Sequence, residues 1–206
     1  MKLKPSSKAW MHEHVNDEYV KRAQKEGYRA RAAYKLLEID DKDKLIKPGM
    51  TIVDLGATPG SWSQVVTQRL KGNGRIIALD ILDMQPIKGV EFLQGDFREE
   101  SILKQLEQML NNKQVDLVIA DMAPNMSGIA DVDQAGAIYL TELALDFSKT
   151  WLKPHGNFLV KVFIGAGFDG LLHDMRQMFD KVVTRKPKAS RDRSSEVYLL
   201  GLGKKT

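Results

Sequence analysis

The chain contains no cysteine. That absence excludes disulfides, thiolate metal sites and every covalent mechanism that needs a sulfur nucleophile. Long apolar runs are missing too. No stretch approaches the roughly 18 consecutive apolar residues of a membrane span, and the opening residues Met1-Lys2-Leu3-Lys4-Pro5 lack the apolar core of a signal peptide. A cytoplasmic protein without membrane association is expected. Internal repeats and low-complexity tracts are absent as well. What remains is a chain of 206 residues, 43% hydrophobic, enough for one good core with a small appendage.

Charge is unevenly spread. Residues 1–35 hold nine Lys/Arg against four Asp/Glu, and residues 181–206 hold eight against two, within a net charge of only +4. The body between these flanks is therefore net acidic. That arrangement suits a small-molecule site in the core with a polyanion held at its margin; a solvated helix face at one end and a loose tail at the other is the plainer reading. From Thr51 onward, short β-branched runs alternate with amphipathic stretches, the pattern of a parallel sheet covered by helices. Strands are expected over Thr51–Leu55, Arg75–Asp80, Val90–Leu93, Val115–Asp121, Gly156–Phe163, Lys181–Thr184 and Ser195–Leu202. Helices are expected over Ser61–Leu70, Glu99–Asn111, Asp133–Trp151 and Gly167–Met178. The link Arg185–Ser194 is too short and polar for a crossover helix, so the last two strands should pair antiparallel. Ahead of Thr51 two basic helices are expected. The first, Asp17–Lys25, is stopped by Gly27, and on the second, Arg29–Ile39, Arg31 and Lys35 would share a face.

The most informative stretch is Asp54-Leu55-Gly56-Ala57-Thr58-Pro59-Gly60-Ser61-Trp62-Ser63, lying between an expected strand and an expected helix. In an open α/β sheet ligands gather at the carboxyl ends of strands, and glycines there admit them to the backbone. The dinucleotide fingerprint Gly-x-Gly-x-x-Gly fails, because Thr58 stands where the second glycine belongs. Gly56 and Gly60 suit a nucleoside without a pyrophosphate, such as S-adenosylmethionine, although a purely structural turn also accounts for a glycine pair. Three acids then close successive strands. Asp80 is placed to accept both ribose hydroxyls, Asp96 in Gln94-Gly95-Asp96-Phe97 to accept from an adenine amino group, and Asp121 closes the fourth strand. One such Asp is usually a cap or turn residue. Three facing one crevice argue for a ligand.

Methyl transfer from a sulfonium is an in-line displacement, so the acceptor decides which residues are needed. A base-amino methyltransferase carries an aromatic ring after the fourth strand to stack on a flipped base, and Asp121-Met122-Ala123-Pro124 has none. Carbon-5 methylation of a pyrimidine needs the missing cysteine. A ribose hydroxyl is a very weak acid and calls for a nearby positive charge. Lys161 meets that need, standing in the otherwise apolar strand Phe158-Leu159-Val160-Lys161-Val162-Phe163, where it is either snorkelling at a sheet edge or desolvated in a site. Asp121, Lys35 from the basic helix and Glu196 at the start of the last strand would complete a charged cluster. Two readings from other classes stand beside this one, a nicotinamide-dependent dehydrogenase and an RNA-binding assembly factor with a vestigial site.

These residues are where the chain resembles the FtsJ/RrmJ family of bacterial ribosomal RNA large-subunit methyltransferases. The motifs are Ser6-Ser7-Lys8-Ala9-Trp10, Tyr28-Arg29-Ala30-Arg31-Ala32-Ala33-Tyr34-Lys35-Leu36, the Asp54–Gln64 turn, Asp121-Met122-Ala123-Pro124-Asn125 and Ser190-Arg191-Asp192-Arg193-Ser194-Ser195-Glu196, so the likeness runs through nearly the whole chain. It implies an α/β, Rossmann-like class I methyltransferase, with a mostly parallel seven-stranded sheet, a final antiparallel strand, and a basic helical extension (residues 1–40) ahead of the methyltransferase domain (41–206). It further implies a catalytic Lys-Asp-Lys-Glu tetrad on Lys35, Asp121, Lys161 and Glu196, and S-adenosylmethionine contacts at Gly60, Trp62, Asp80, Asp96 and Asp121. The implied activity is methylation of a uridine 2′-hydroxyl in 23S ribosomal RNA, late in large-subunit assembly. In this scheme Lys161 accepts or polarises the hydroxyl proton, Lys35 and Asp121 tune and place it, and Glu196 orients the tetrad or the ribose. RNA backbone contacts are expected at Arg31, Lys35, Arg191 and Arg193; no metal and no protein partner outside the assembling subunit is expected. Thr58 and Ser61 depart from the Ala and Gly of many relatives. Both are small, so little functional change is expected.

Overall fold

Near-continuous apolar runs make the central strands β1 (Thr51–Leu55), β2 (Arg75–Asp80) and β4 (Val115–Ala120), which are buried on both faces as a helix-covered parallel sheet requires. The computed structural model, which describes residues 17–191 and 193–206, joins them with β3 (Val90–Gln94), β5 (Leu152–Phe163), β6 (Phe179–Arg185) and β7 (Glu196–Lys204) in one sheet ordered β3-β2-β1-β4-β5-β7-β6. The motif Ser6–Trp10 and Asp192 lie outside the described residues. Strands β1 to β5 run parallel, and β7 enters antiparallel between β5 and β6. The strand order reverses between β1 and β4, which opens a crevice above their carboxyl ends.

Alternating strand residues build a core on each face of the sheet. Val53, Leu79, Val118, Phe158 and Leu199 pack on one side with α4 (Glu100–Leu110), α5 (Ala130–Trp151) and α6 (Phe168–Met178). Ile52, Ile76, Leu117, Leu159 and Tyr198 pack on the other with α2 (Ala33–Asp43) and α3 (Ser61–Leu70). The first helix, α1 (Glu18–Glu26), is capped by the Asp17 carboxylate at its start and ends on Gly27 at φ 77°. No helix among the described residues is long and apolar enough to cross a membrane.

Helix α2 begins four residues later than the sequence suggests, and the cause is tertiary. The backbone N–H of Arg29 donates to Gln64 Oε1, and the Ala32 carbonyl accepts from the Trp62 indole, both at 2.9 Å. Residues 30–35 wind into the helix through i→i−3 bonds instead. Arg31 therefore sits in the turn before α2 and does not share a helical face with Lys35. At the other end α2 runs on to Asp43, because Asp40 accepts from the Ile46 N–H and pairs with Arg69, both at 2.9 Å. Helix α5 starts three residues early for a similar reason: the Asp133 carboxylate gathers the N–H groups of Ser127 and Gly128 and the Ser127 hydroxyl.

Gly201 on β7 lies under Phe179, whose ring stacks on Phe158 with centroids 6.3 Å apart. A Cβ at Gly201 would stand 2.4 Å from the Phe179 ring. Gly201→Ala is expected to cost about 1–3 kcal/mol through overpacking, seen as a lower denaturant midpoint with an unchanged slope.

Candidate active site and cofactor crevice

The turn between β1 and α3 forms one wall of the crevice. Gly56 and Gly60 adopt φ of 76° and 106°, and a Cβ at Gly56 would come within 2.9 Å of the Met122 Cα, so β1 and β4 can end side by side only with glycine there. Helix α3 opens from Gly60 without a side-chain cap. The Arg29 guanidinium, not anticipated from sequence, straps this turn to the loop after β2. It donates to the carbonyls of Pro59, Gln85 and Pro86 at 2.9, 2.6 and 3.0 Å.

Acids converge on the crevice from four strands. Asp80 at the end of β2 accepts from the Thr58 and Leu82 N–H groups at 2.9 and 2.8 Å, which fixes its carboxylate against the glycine turn. Asp96 after β3 pairs with Arg98 at 2.6 Å, and those hydrogen bonds hold its carboxyl below the usual range. Asp121 follows β4. Asp54, inside β1, is wholly buried; burial pushes its carboxyl up to about 7, the Ser63 hydroxyl bond opposes this, and the charges of Asp121 and Asp80 add to it. The sequence offered Asp54 only as part of the glycine motif. Trp62, expected at the cofactor, turns its side chain into the core beside Tyr198, so only its backbone N–H in the uncapped turn is left for a ligand.

The tetrad residues form two ion pairs. Lys161 on β5 lies 3.1 Å from Asp121 Oδ1 and donates to the Asp121 carbonyl at 2.9 Å. Lys35 on α2 lies 2.7 Å from Glu196 on β7. Side-chain exposure is 9% for Lys161 and 16% for Asp121, so this is a desolvated lysine and not one that snorkels at a sheet edge. Two groups missed in the sequence complete the cluster. Ser190 Oγ donates to Glu196 Oε1 at 2.8 Å, and the Tyr198 hydroxyl donates to Asp121 Oδ1 at 3.0 Å. Tyr198 was legible in principle, since it follows Glu196 by two residues and shares its face of β7.

Beside the tetrad, Arg31, Lys35, Arg191, Arg193 and Glu196 line an open cleft of about 490 Å³. All four residues expected to contact RNA thus come together. The Arg31 guanidinium is held by Asp17 and by the Ala189 carbonyl, which ties the loop after β6 to the turn before α2.

The crevice fits S-adenosylmethionine on its own chemistry. That cofactor presents an ammonium, a sulfonium, ribose hydroxyls and an adenine amino group to acceptors, and a carboxylate to donors. The acids supply the acceptors, and the uncapped start of α3 supplies backbone N–H groups for the carboxylate. Asp54 Oδ1 and Ser61 Oγ are buried in this wall without a hydrogen-bond partner. A sheet of this order, carrying an acceptor-lined crevice for a cationic nucleoside at its reversal point, defines the class I methyltransferases. Within that class the chain belongs to the FtsJ-like methyltransferase family, whose model matches residues 28–204 and whose members use S-adenosylmethionine. It is 77% identical, over 98% of both chains, to the ribosomal RNA large subunit methyltransferase E of Methylobacillus flagellatus. It is 63% identical to the protein of the same name from Chromobacterium violaceum, over 97% of this chain and 98% of that one. Among solved structures it resembles one from Plasmodium falciparum described as a ribosomal RNA methyltransferase, with a TM-score of 0.78 and 32% identity over 86% of this chain and 98% of that one.

The buried Asp54 gives a pH signature. Its unfolded carboxyl ionises near 3.8, whereas the folded one keeps its proton to about 7. The folded state therefore binds more protons between those values, so stability falls as pH rises through that window and is level on either side. The Asp54→Asn variant should lack this fall, which amounts to at most about 4 kcal/mol. Parallel pH–stability curves for the two proteins would show that Asp54 ionises normally.

Proposed function

We propose that the protein transfers a methyl group from S-adenosylmethionine to the ribose 2′-hydroxyl of a uridine in 23S ribosomal RNA, in the cytoplasm and late in large-subunit assembly. The observation that carries this reading is the desolvated Lys161 held by Asp121 at the edge of the cofactor crevice, where the following Met122-Ala123-Pro124 offers no ring to stack a base. The names of the relatives from Methylobacillus flagellatus and Chromobacterium violaceum support large-subunit ribosomal RNA as the substrate.

The bound cofactor supplies an electrophilic methyl carbon. The protein has to hold the 2′-oxygen in line with it and remove the proton. Lys161 is the base. Asp121 fixes its amine by carboxylate and carbonyl together, and Lys161 must shed its own proton before it accepts one from the hydroxyl, so the rate rises with pH along an ascending limb. Lys35 joins Asp121 in setting and placing Lys161, and Glu196, paired with Lys35, orients the tetrad or the ribose. Gly60, Asp80, Asp96, Asp121 and the Trp62 backbone hold the cofactor. Residues 1–40 act as the RNA-contacting extension that contributes Lys35, with Arg31, Arg191 and Arg193 gripping phosphates along the cleft.

Lys161→Ala should lower the single-turnover rate at saturating RNA by roughly two to four decades while cofactor affinity stays within twofold. A near-normal rate would remove Lys161 from the mechanism. Arg193→Ala should instead weaken RNA binding, with a salt dependence flatter by about one ion, and recover much of its rate at saturating RNA. Mapping ribose methylation in RNA from a deletion strain tests the substrate. One 2′-O-methyluridine should vanish from 23S ribosomal RNA, and loss from transfer RNA alone would overturn the assignment.

A further inference from the structure

The four charged residues make no single network by themselves. They are two ion pairs, Lys161–Asp121 and Lys35–Glu196, and the Tyr198 hydroxyl stands beside them, donating to Asp121 Oδ1 at 3.0 Å within the field of the Glu196 carboxylate. Tyr198 is fully buried. It lies directly opposite Lys161 in the β5–β7 pairing, and its ring centroid is 5.7 Å from Lys35 Nζ. One side chain thus touches Asp121 and stands beside Lys35.

Packing alone does not call for that hydroxyl, because a phenylalanine ring would fill the same space beside Trp62. A phenol has a single proton to donate, and here it is committed to Asp121. Burial first, and then the charges of Asp121 and Glu196, push its ionisation well above the usual range, so it remains a donor at every working pH. In this structure the donation goes to Asp121 Oδ1, the same oxygen that faces Lys161. A carboxylate that accepts a hydrogen bond is less basic, and so holds a further proton less tightly.

We propose that the Tyr198 hydroxyl is a positioning group for methyl transfer: it selects the Asp121 oxygen that faces Lys161 and loosens that oxygen's hold on the lysine proton. The inference rests on the ribose-methylation reading above and deepens it. The charged groups facing the pair are Asp121 after β4, Glu196 on β7 and Lys35 on α2, with Asp54 of β1 acting on Asp121 and Asp80 of β2 on Asp54.

Tyr198→Phe removes the oxygen and keeps the ring. Single-turnover rates across pH, at saturating cofactor and RNA, should fall roughly tenfold on the ascending limb, and the limb should move to higher pH because Asp121 now holds the lysine proton more firmly. Cofactor and RNA affinities, measured by calorimetry on the same preparation, should stay within twofold of wild type. An unchanged rate overturns the proposal. So does a lower rate on an unmoved limb, which is what a purely structural hydroxyl would give. The wild-type product, digested to nucleosides, separates this outcome from failure of the parent reading. Methyl on a base would sink ribose methylation itself, whereas methyl on ribose with an unmoved limb in the variant sinks only the role of Tyr198.

Discussion

A carboxylate withdrawn from water has to be met by donors, and the meeting of Asp121 with Lys161 is the contact on which the rest of the molecule depends. It forms where two neighbouring strands end: β4 delivers the acid just past Ala120, and β5 delivers the lysine from an otherwise apolar run. Neither charge could remain so poorly hydrated without the other. The sheet order places β4 beside the glycine turn of β1, so the same acid stands at the wall of the cofactor crevice and against Lys161. The proposed reaction therefore refers binding of the electrophile and removal of the proton to one side chain.

Around that contact the fold brings in the remaining pieces from both ends of the chain. Lys35 arrives on α2, whose Ala33, Leu36 and Ile39 belong to the core beneath the sheet. Glu196 arrives on β7, which is wedged antiparallel between β5 and β6. Basic residues from both flanks, Arg31 and Lys35 from one and Arg191 and Arg193 from the other, therefore converge in one cleft beside an acidic crevice. Regions of opposite charge thus adjoin, as the proposed reaction between a cationic cofactor and a polyanion requires.

Most of the sheet was legible because β-branched runs and turn residues speak locally. The strand-end acids were legible because ligands of open α/β sheets gather there. What escaped was decided by distant partners. Arg29 to Ala32 look helical in composition, yet Gln64 and Trp62 claim their backbone groups and delay α2. Trp62 reads as a cofactor residue from its motif, but its indole is committed to the Ala32 carbonyl. The Arg29 strap ends on three carbonyls, and backbone acceptors leave no trace in a sequence. Tyr198 reads as a core residue of an apolar strand. Its hydroxyl matters only because β4 and β7 bring two carboxylates to it.

The short stretch from Arg29 to Lys35 serves two cavities at once. Its first residue laces the rim of the cofactor crevice, its third ties down the loop that borders the basic cleft, and its last enters the tetrad. Three side chains with three different partners are thereby set by one short path of backbone, pinned in its middle by the Trp62 indole. An inserted or deleted residue anywhere along it would put all three out of phase together. The segment is constrained in length as well as in the identity of these three side chains.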